Sequence, residues 1–212
     1  MGDYMKFLRL RSITPSTLAL LVFVAPASAH HPMGGKTPST FIEGLLSGFG
    51  HPIIGPDHLA FLVAVGVIVG VGGLNLALPA IFVSAMAIGV ALHVNGIALP
   101  AGEVIVALSV ILVGLLIARG RALPVMLWAA LFALAGLFHG HALGETVFGA
   151  EPAPLGAYLL GLVVVQSVLT IAIAALIRAV GIQVAEKAPR FAGVLIVAVG
   201  LAVLLGQLLP GA

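Results

Sequence analysis

The chain has 212 residues, of which 61% are hydrophobic and 8% are charged, with a formal net charge of +2. Its mean hydropathy of +1.26 is typical of a polytopic membrane protein and excludes a soluble α/β enzyme. Because the sequence contains no cysteine, disulfide frameworks, zinc fingers and iron–sulfur sites are excluded as well. A transition-metal site would have to use imidazole, carboxylate, backbone or thioether ligands.

Residues 1–29 have the pattern of a cleavable signal peptide. The pattern consists of a positive region with Lys6, Arg9 and Arg11, an apolar core from Thr17 to Val24, and the cleavage site Ala27-Ser28-Ala29. We therefore expect a mature chain that starts at His30, with an uncleaved first transmembrane helix as the alternative. Cleavage removes three of nine basic and one of seven acidic residues and leaves six of each, so nothing indicates a nucleic-acid partner.

The segment 37–50 is predicted to form a short helix with one apolar face. It is too short to cross a membrane, which favours an interfacial or re-entrant position. Pro52 and Pro56 resist the continuation of a helix, whereas Pro56 suits the first turn of a new one. The next helix is therefore predicted to start at Gly55 or Pro56.

Six apolar segments of spanning or near-spanning length follow, separated by breaks rich in glycine, proline or charge. They cover approximately residues 57–72, 75–95, 101–118, 123–143, 154–177 and 190–209. The predicted fold class is all-α, a polytopic membrane helical bundle with six transmembrane helices after a cleavable signal peptide. The predicted domains are the signal peptide, 1–29, and one transmembrane domain, 30–212.

The basic residues indicate the orientation of the bundle. If His30 is released outside the cytoplasm, the alternation of spans places the loops 119–121 and 178–190 inside and both termini of the mature chain in the periplasm. Five of the six mature basic residues then lie inside and only Lys36 lies outside, as the positive-inside rule requires. We expect a multi-pass protein of the bacterial inner membrane, with its histidines at the outer ends of the spans.

The stretch "GHPIIGPDHLAF" places His51, Asp57 and His58 at the start of the first span. Asp57 falls in the first helical turn, where the helix dipole favours its ionised form, and His51 can fold back toward it. Two neutral imidazoles and a carboxylate suit Ni²⁺, Co²⁺, Cu²⁺ or Zn²⁺. The alternative is that these side chains are polar anchors at the membrane interface.

The stretch "FHGHALGE" at the end of the fourth span contains a second cluster. His141 and Glu145 are four residues apart and share a helix face, whereas His139 points roughly opposite to His141. Gly140 and Gly144 lower the cost of local unwinding, so we expect a distorted helix end that brings all three together. The alternative for a single histidine is a hydrogen bond to a carbonyl of a neighbouring helix.

Two further histidines are candidate ligands. His93 shares a helix face with Met86 and Gly89, so it is either a ligand or a packed polar residue. His30, as a mature N-terminus, offers an α-amine and an imidazole for metal capture, although a terminus that merely contains histidines is equally consistent with the pattern.

The two clusters together resemble the HupE/UreJ family of nickel permeases, some members of which transport cobalt. His51, Asp57 and His58 match the family's histidine, five residues and Asp-His. Its later Phe-His-Gly motif with a closing glutamate is matched by Phe138, His139, Gly140, Ala142, Gly144 and Glu145, with His141 in a variable position. The resemblance covers essentially the whole chain. It implies Ni²⁺ or Co²⁺ as a transported substrate rather than a bound cofactor, the lipid bilayer as surroundings, and a supply of metal for hydrogenase or urease assembly.

The sequence thus leads to the hypothesis of a non-enzymatic permease that holds a divalent cation between the first and fourth spans. The predicted ligands are His51, Asp57, His58, His139 and Glu145, assisted by His141 and His93, and the onward path uses Ser84, Ser109, Gln166, Ser167 and Thr170. An intramembrane metal-dependent enzyme and a pH- or metal-sensing membrane protein are the alternatives. These ligand types do not separate nickel from cobalt, because selectivity depends on geometry, and the sequence does not indicate the oligomeric state.

Overall fold

The computed structural model describes residues 36–181 and 187–209. Within these ranges the chain is all helical and contains no strand. The predicted signal peptide and His30 lie outside the described residues. The helices are α1 (Phe41–Ile54), α2 (Pro56–Val71), α3 (Leu78–Val94), α4 (Gly102–Ala118), α5 (Val125–Gly144), α6 (Pro152–Val180) and α7 (Ala188–Leu208), with a 3₁₀ turn (Glu145–Val147) after α5.

The six predicted apolar segments correspond to α2 to α7. Three of these helices, α5 with its 3₁₀ turn, α6 and α7, are each long and apolar enough to cross a membrane. With 17 residues each, α3 and α4 rise about 26 Å, somewhat less than the ~30 Å of a hydrocarbon core. The chain is therefore an integral membrane protein with three to four candidate spans among its described residues, and the number six stays a prediction.

Helix α1 begins and ends about four residues later than the predicted segment 37–50. It begins at Phe41 because Thr40 forms a capping box, in which the Thr40 hydroxyl accepts from the Glu43 backbone N–H at 3.2 Å. It then continues through Pro52 to Ile54, so the expectation that Pro52 resists the helix is wrong. Pro52 removes only one backbone hydrogen bond, and α1 packs extensively on α6.

The predicted start of the next helix at Pro56 is confirmed. The axis bends by 77° between α1 and α2, and the two helices together have the length and composition of one broken span or a re-entrant loop.

Glycines allow the helices to approach closely. A Cβ atom on Gly140 of α5 would overlap the carbonyl of Met86 in α3, and one on Gly48 of α1 would overlap the carbonyl of Tyr158 in α6. Such small-residue contacts are a common basis of helix association in membranes. The expected unwinding at Gly140 and Gly144 is wrong, because α5 stays α-helical up to Gly144 and tightens into the 3₁₀ turn only afterwards.

The helices carry histidines at one end of the bundle and arginines at the other. At the arginine end, the Arg178 guanidinium of α6 donates to the carbonyls of Val69 and Leu74 near the end of α2, and Arg121 and Arg190 line one cavity. The starts of α2 and α6 and the ends of α3 and α5 meet at the opposite end. This arrangement positions the candidate site.

Candidate functional site

His58 and His139 form the centre of the site, here called the inner pair. His58 lies in the first turn of α2 and His139 near the end of α5, and their Nδ1 atoms are 2.9 Å apart. Both are buried, with 7% and 1% of their surface exposed. The rings of Phe61 and Phe82 lie 4.7 and 6.0 Å from the His139 ring, centroid to centroid, so the inner pair has an apolar wall.

Asp57 stands beside the inner pair. Its Oδ1 atom accepts the backbone N–H of His58 at 2.8 Å and lies 3.9 Å from the Nδ1 atom of the same residue. The predicted place of Asp57 in the first turn of α2 is confirmed. The carboxylate therefore contributes to the helix start and places a negative charge next to the two imidazoles.

Ser109 contacts the second ring nitrogen of His139. Its Oγ atom lies 3.0 Å from His139 Nε2 and donates to the carbonyl of Val106 at 2.7 Å. Ser109 belongs to α4, so the inner pair is surrounded by residues from at least three helices. The sequence had indicated Ser109 only as part of an onward path.

His51 lies next to the inner pair, where the sequence predicted it. Its ring is 5.9 Å from that of His58, in an edge-to-face arrangement. Its Nδ1 atom contacts the Thr146 hydroxyl at 2.9 Å and the Tyr158 hydroxyl at 3.1 Å, and Tyr158 donates to the carbonyl of Leu143 at 2.8 Å. Neither hydroxyl residue was predicted from the sequence. Thr146 directly follows the second cluster, whereas nothing in the apolar surroundings of Tyr158 points to His51.

His93 and His141 form a second contact, here called the outer pair. Their ring centroids are 4.6 Å apart and their Nδ1 atoms 3.5 Å, and both side chains are half-buried. The Nε2 atom of His141 lies 2.9 Å from the carbonyl of Ile97. His139 and His141 thus serve different partners on different faces of α5, as their spacing predicted.

Glu145 does not enter the inner pair. It starts the 3₁₀ turn, is exposed, and acts electrostatically on His93. The neighbouring Thr146 is the residue of this turn that reaches His51. The predicted union of His139, His141 and Glu145 is therefore replaced by two separate groups.

In the described part of the chain, no group of three or more histidine and acidic side chains is arranged to hold a metal ion. The ligand roles of the predicted residues stay predictions. The inner pair offers two nitrogen atoms, with His51 and Asp57 adjacent, and the outer pair offers two more.

The polar residues of the predicted onward path are dispersed. Ser84 is exposed on α3, whereas Gln166 of α6 is 1% exposed and its Oε1 atom has no hydrogen-bond partner among the described residues. Thr170 donates to the backbone carbonyl of Gln166 at 2.7 Å. Gln166 is therefore the member of this set with an unused buried acceptor.

Comparison with known proteins shows a similarity to one protein family and to one of its members. A family model described as HupE / UreJ protein matches residues 18–203. Protein HupE of Rhizobium leguminosarum bv. viciae is 37% identical over 130 residues, which are 60% of this chain and 65% of that protein. The match thus spans slightly less than two thirds of the relative's length. No solved structure matches.

Proposed function

This chain belongs to the HupE/UreJ family, and on that premise we propose that it is a secondary permease that carries Ni²⁺ or Co²⁺ across the bacterial inner membrane. The family is a membrane permease-type family associated with nickel and cobalt uptake for hydrogenase or urease. In this proposal the histidine end of the bundle faces the periplasm, and the metal supplies the assembly of a hydrogenase or urease centre.

The inner pair is the observation that carries the proposal. Two imidazoles that are 81 residues apart in the sequence bring their Nδ1 atoms to 2.9 Å inside an apolar bundle. Polar groups in membrane helices are costly, and when they are present they commonly line a transport path or mark a site. Imidazole is a good ligand for nickel and other late transition metals, and the Asp57 carboxylate offsets part of a cation's charge.

The spacing of the inner pair is that of a hydrogen bond. Two Nδ1 atoms 2.9 Å apart share one hydrogen, and a cation bound by both nitrogens would displace it. The choice of Ni²⁺ or Co²⁺ over Zn²⁺ in this proposal rests on the family association, because imidazole and carboxylate ligands alone do not separate these ions.

The remaining residues are assigned to steps before and after the inner pair. The half-buried outer pair, His93 and His141, is the first contact for an ion that has shed part of its water. His51 and Asp57 complete the ligand set beside the inner pair, and Gln166 offers an oxygen farther along α6. The chain has no Walker A pattern, so the driving force is the membrane potential or exchange with protons that the histidines release.

Radioactive-nickel uptake by cells that express the chain tests this function. We expect faster accumulation than in cells with an empty vector, a fall to background in His58→Ala and His139→Ala, and unchanged uptake in the control Gly156→Ala, where an added Cβ meets nothing within 4 Å. Excess cobalt should compete and excess zinc should not. Preferential competition by zinc or copper would overturn the named substrate. Unchanged uptake in both histidine variants would instead favour an enzyme or a sensor.

A further inference from the structure

The hydrogen bonds of Ser109 determine which of its two contacts receives its proton. A serine hydroxyl has one hydrogen, and a carbonyl oxygen can only accept. The Oγ atom lies 2.7 Å from the Val106 carbonyl, a distance at which two oxygen atoms without a hydrogen between them repel each other. The hydroxyl therefore donates to Val106, and its lone pair faces the Nε2 atom of His139 at 3.0 Å.

We propose that Ser109 is a positioning residue that fixes His139 as the Nε2–H tautomer. With the ring proton held at Nε2, the Nδ1 atom of His139 carries its lone pair and accepts the Nδ1–H group of His58. A cation that binds between the two rings then displaces the Nδ1 proton of His58 and takes the lone pair of His139. The tautomer follows from the contacts alone, and its consequence for transport rests on the proposed function. A histidine that binds a metal through one nitrogen commonly donates its other N–H to a fixed acceptor.

Burial makes this single hydrogen bond important. His139 is 1% exposed, and the rings of Phe61 and Phe82 cover it. If the Ser109 acceptor is removed, the Nε2–H group loses its partner inside an apolar wall, which carries a desolvation penalty. The ring proton then shifts toward Nδ1, and His139 loses the Nδ1 lone pair that accepts from His58 and faces the ion.

His51 is held in a comparable way through its other ring nitrogen. Its Nδ1 atom faces the hydroxyl groups of Thr146 and Tyr158, and Tyr158 gives its only hydrogen to the Leu143 carbonyl. Tyr158 therefore accepts from the Nδ1–H group of His51. Ser109 differs in the nitrogen that it selects, because it places the hydrogen of His139 on Nε2, away from the partner histidine.

Nickel uptake kinetics of the full chain in lipid vesicles test the role of Ser109. For Ser109→Ala we expect the half-saturating Ni²⁺ concentration to rise about 10-fold or more, with little change in the maximal rate. Ser109→Thr keeps the hydroxyl and its bond to the helix carbonyl, so it should stay close to the wild type. Gly156→Ala, where an added Cβ meets nothing within 4 Å, should also keep wild-type kinetics. Wild-type kinetics in Ser109→Ala, or an equal defect in Ser109→Thr, would overturn the proposal.

Nitrogen-15 NMR of histidine-labelled protein in lipid gives a second readout that a merely structural role would not move. The His139 signals are assigned by their loss in His139→Ala. We expect the Nε2–H tautomer in the wild type and Ser109→Thr, and a mixture in Ser109→Ala. An Nδ1–H tautomer in the wild type would refute the proposal even if Ser109→Ala fails to fold. If the expected tautomer is observed but His139→Ala still transports nickel, the proposed function fails instead.

Discussion

The inner and outer histidine pairs have the same plan but different surroundings. Each joins a histidine of α5 to one of another helix through facing Nδ1 atoms, at 2.9 Å in the inner pair and 3.5 Å in the outer pair. The inner pair is buried between aromatic rings and bound by a serine hydroxyl, whereas the outer pair is half-buried and bound by a carbonyl between α3 and α4. The difference teaches that one helix can carry two histidine contacts of different accessibility. In the proposed function, the buried contact holds the ion and the half-buried contact exchanges it.

Alanine substitutions should separate the two pairs by the largest effect. At limiting nickel, we expect His139→Ala to reduce nickel uptake to background, because it removes one of two adjacent nitrogens. Under the same conditions, His141→Ala should reduce uptake only about threefold. The inner double variant His58→Ala/His139→Ala should be no worse than either single variant, because the two residues act as a unit. Equal losses in His139→Ala and His141→Ala, measured as initial rates, would remove the distinction.

The helix contact that supports both pairs can be broken at Gly140. A Cβ atom there would overlap the Met86 carbonyl, so Gly140→Ala should separate α3 from α5 and destabilise the fold by about 1–3 kcal/mol. Gly156→Ala is the matched control, because a Cβ on Gly156 of α6 meets nothing within 4 Å. Thermal unfolding followed by the fluorescence of Trp128, the one tryptophan in the sequence, measures the difference. Equal transition temperatures would contradict the packing described for Gly140.

The charges of Asp57, beside the inner pair, and Glu145, near the outer pair, can each be removed by a matched substitution. Asp57→Asn keeps an oxygen that can accept the His58 backbone N–H but removes the charge beside the inner pair. We expect the half-saturating nickel concentration to rise about tenfold, a modest effect for one unit charge within a few ångströms. Glu145→Gln, at an exposed position near the outer pair, should raise it about twofold at most, because solvent screens the charge. The reverse order would indicate that the ion is held mainly at the outer pair.

The smallest effects are expected at the hydroxyl groups that orient His51. Tyr158→Phe and Thr146→Val each remove one described contact to His51 Nδ1, so each should slow uptake about twofold. The double variant should slow uptake more than the product of the two single effects. If the double variant slows uptake only by the product of the two single effects in the same assay, the two hydroxyl groups do not share a role at His51.

The helix positions could be predicted because apolar runs and their breaks are local features. Pro56 begins α2 as predicted, since a proline at the first helical position loses no intrahelical hydrogen bond. Pro52 shows where such reasoning fails, because the same residue type is tolerated inside α1, which packs on α6. The number of membrane spans is harder to predict, since α3 and α4 are apolar but shorter than the helices that meet the length of a span.

The site could be predicted in part. The proximity of His58 and His139 followed from their placement at the same side of the membrane, and the structure brings them together. The partnership of His93 with His141 did not follow, because it depends on how α3 and α5 rotate about their axes. Gly140 illustrates the reason, since a glycine in a sequence does not reveal whether it permits unwinding or close packing. Thr146 and Tyr158 were missed because their contacts to His51 depend on the three-dimensional approach of three chain segments.

X-ray absorption at the nickel edge on the full purified chain, loaded with one equivalent of Ni²⁺, measures the ligands of the bound ion directly. We expect the scattering of two imidazole rings in the wild type, with the same signal in His141→Ala and a clear loss of one ring in His139→Ala. Nickel without imidazole ligands in the wild type, or a ring lost in His141→Ala but retained in His139→Ala, would contradict the assignment of the buried histidines as the transport site.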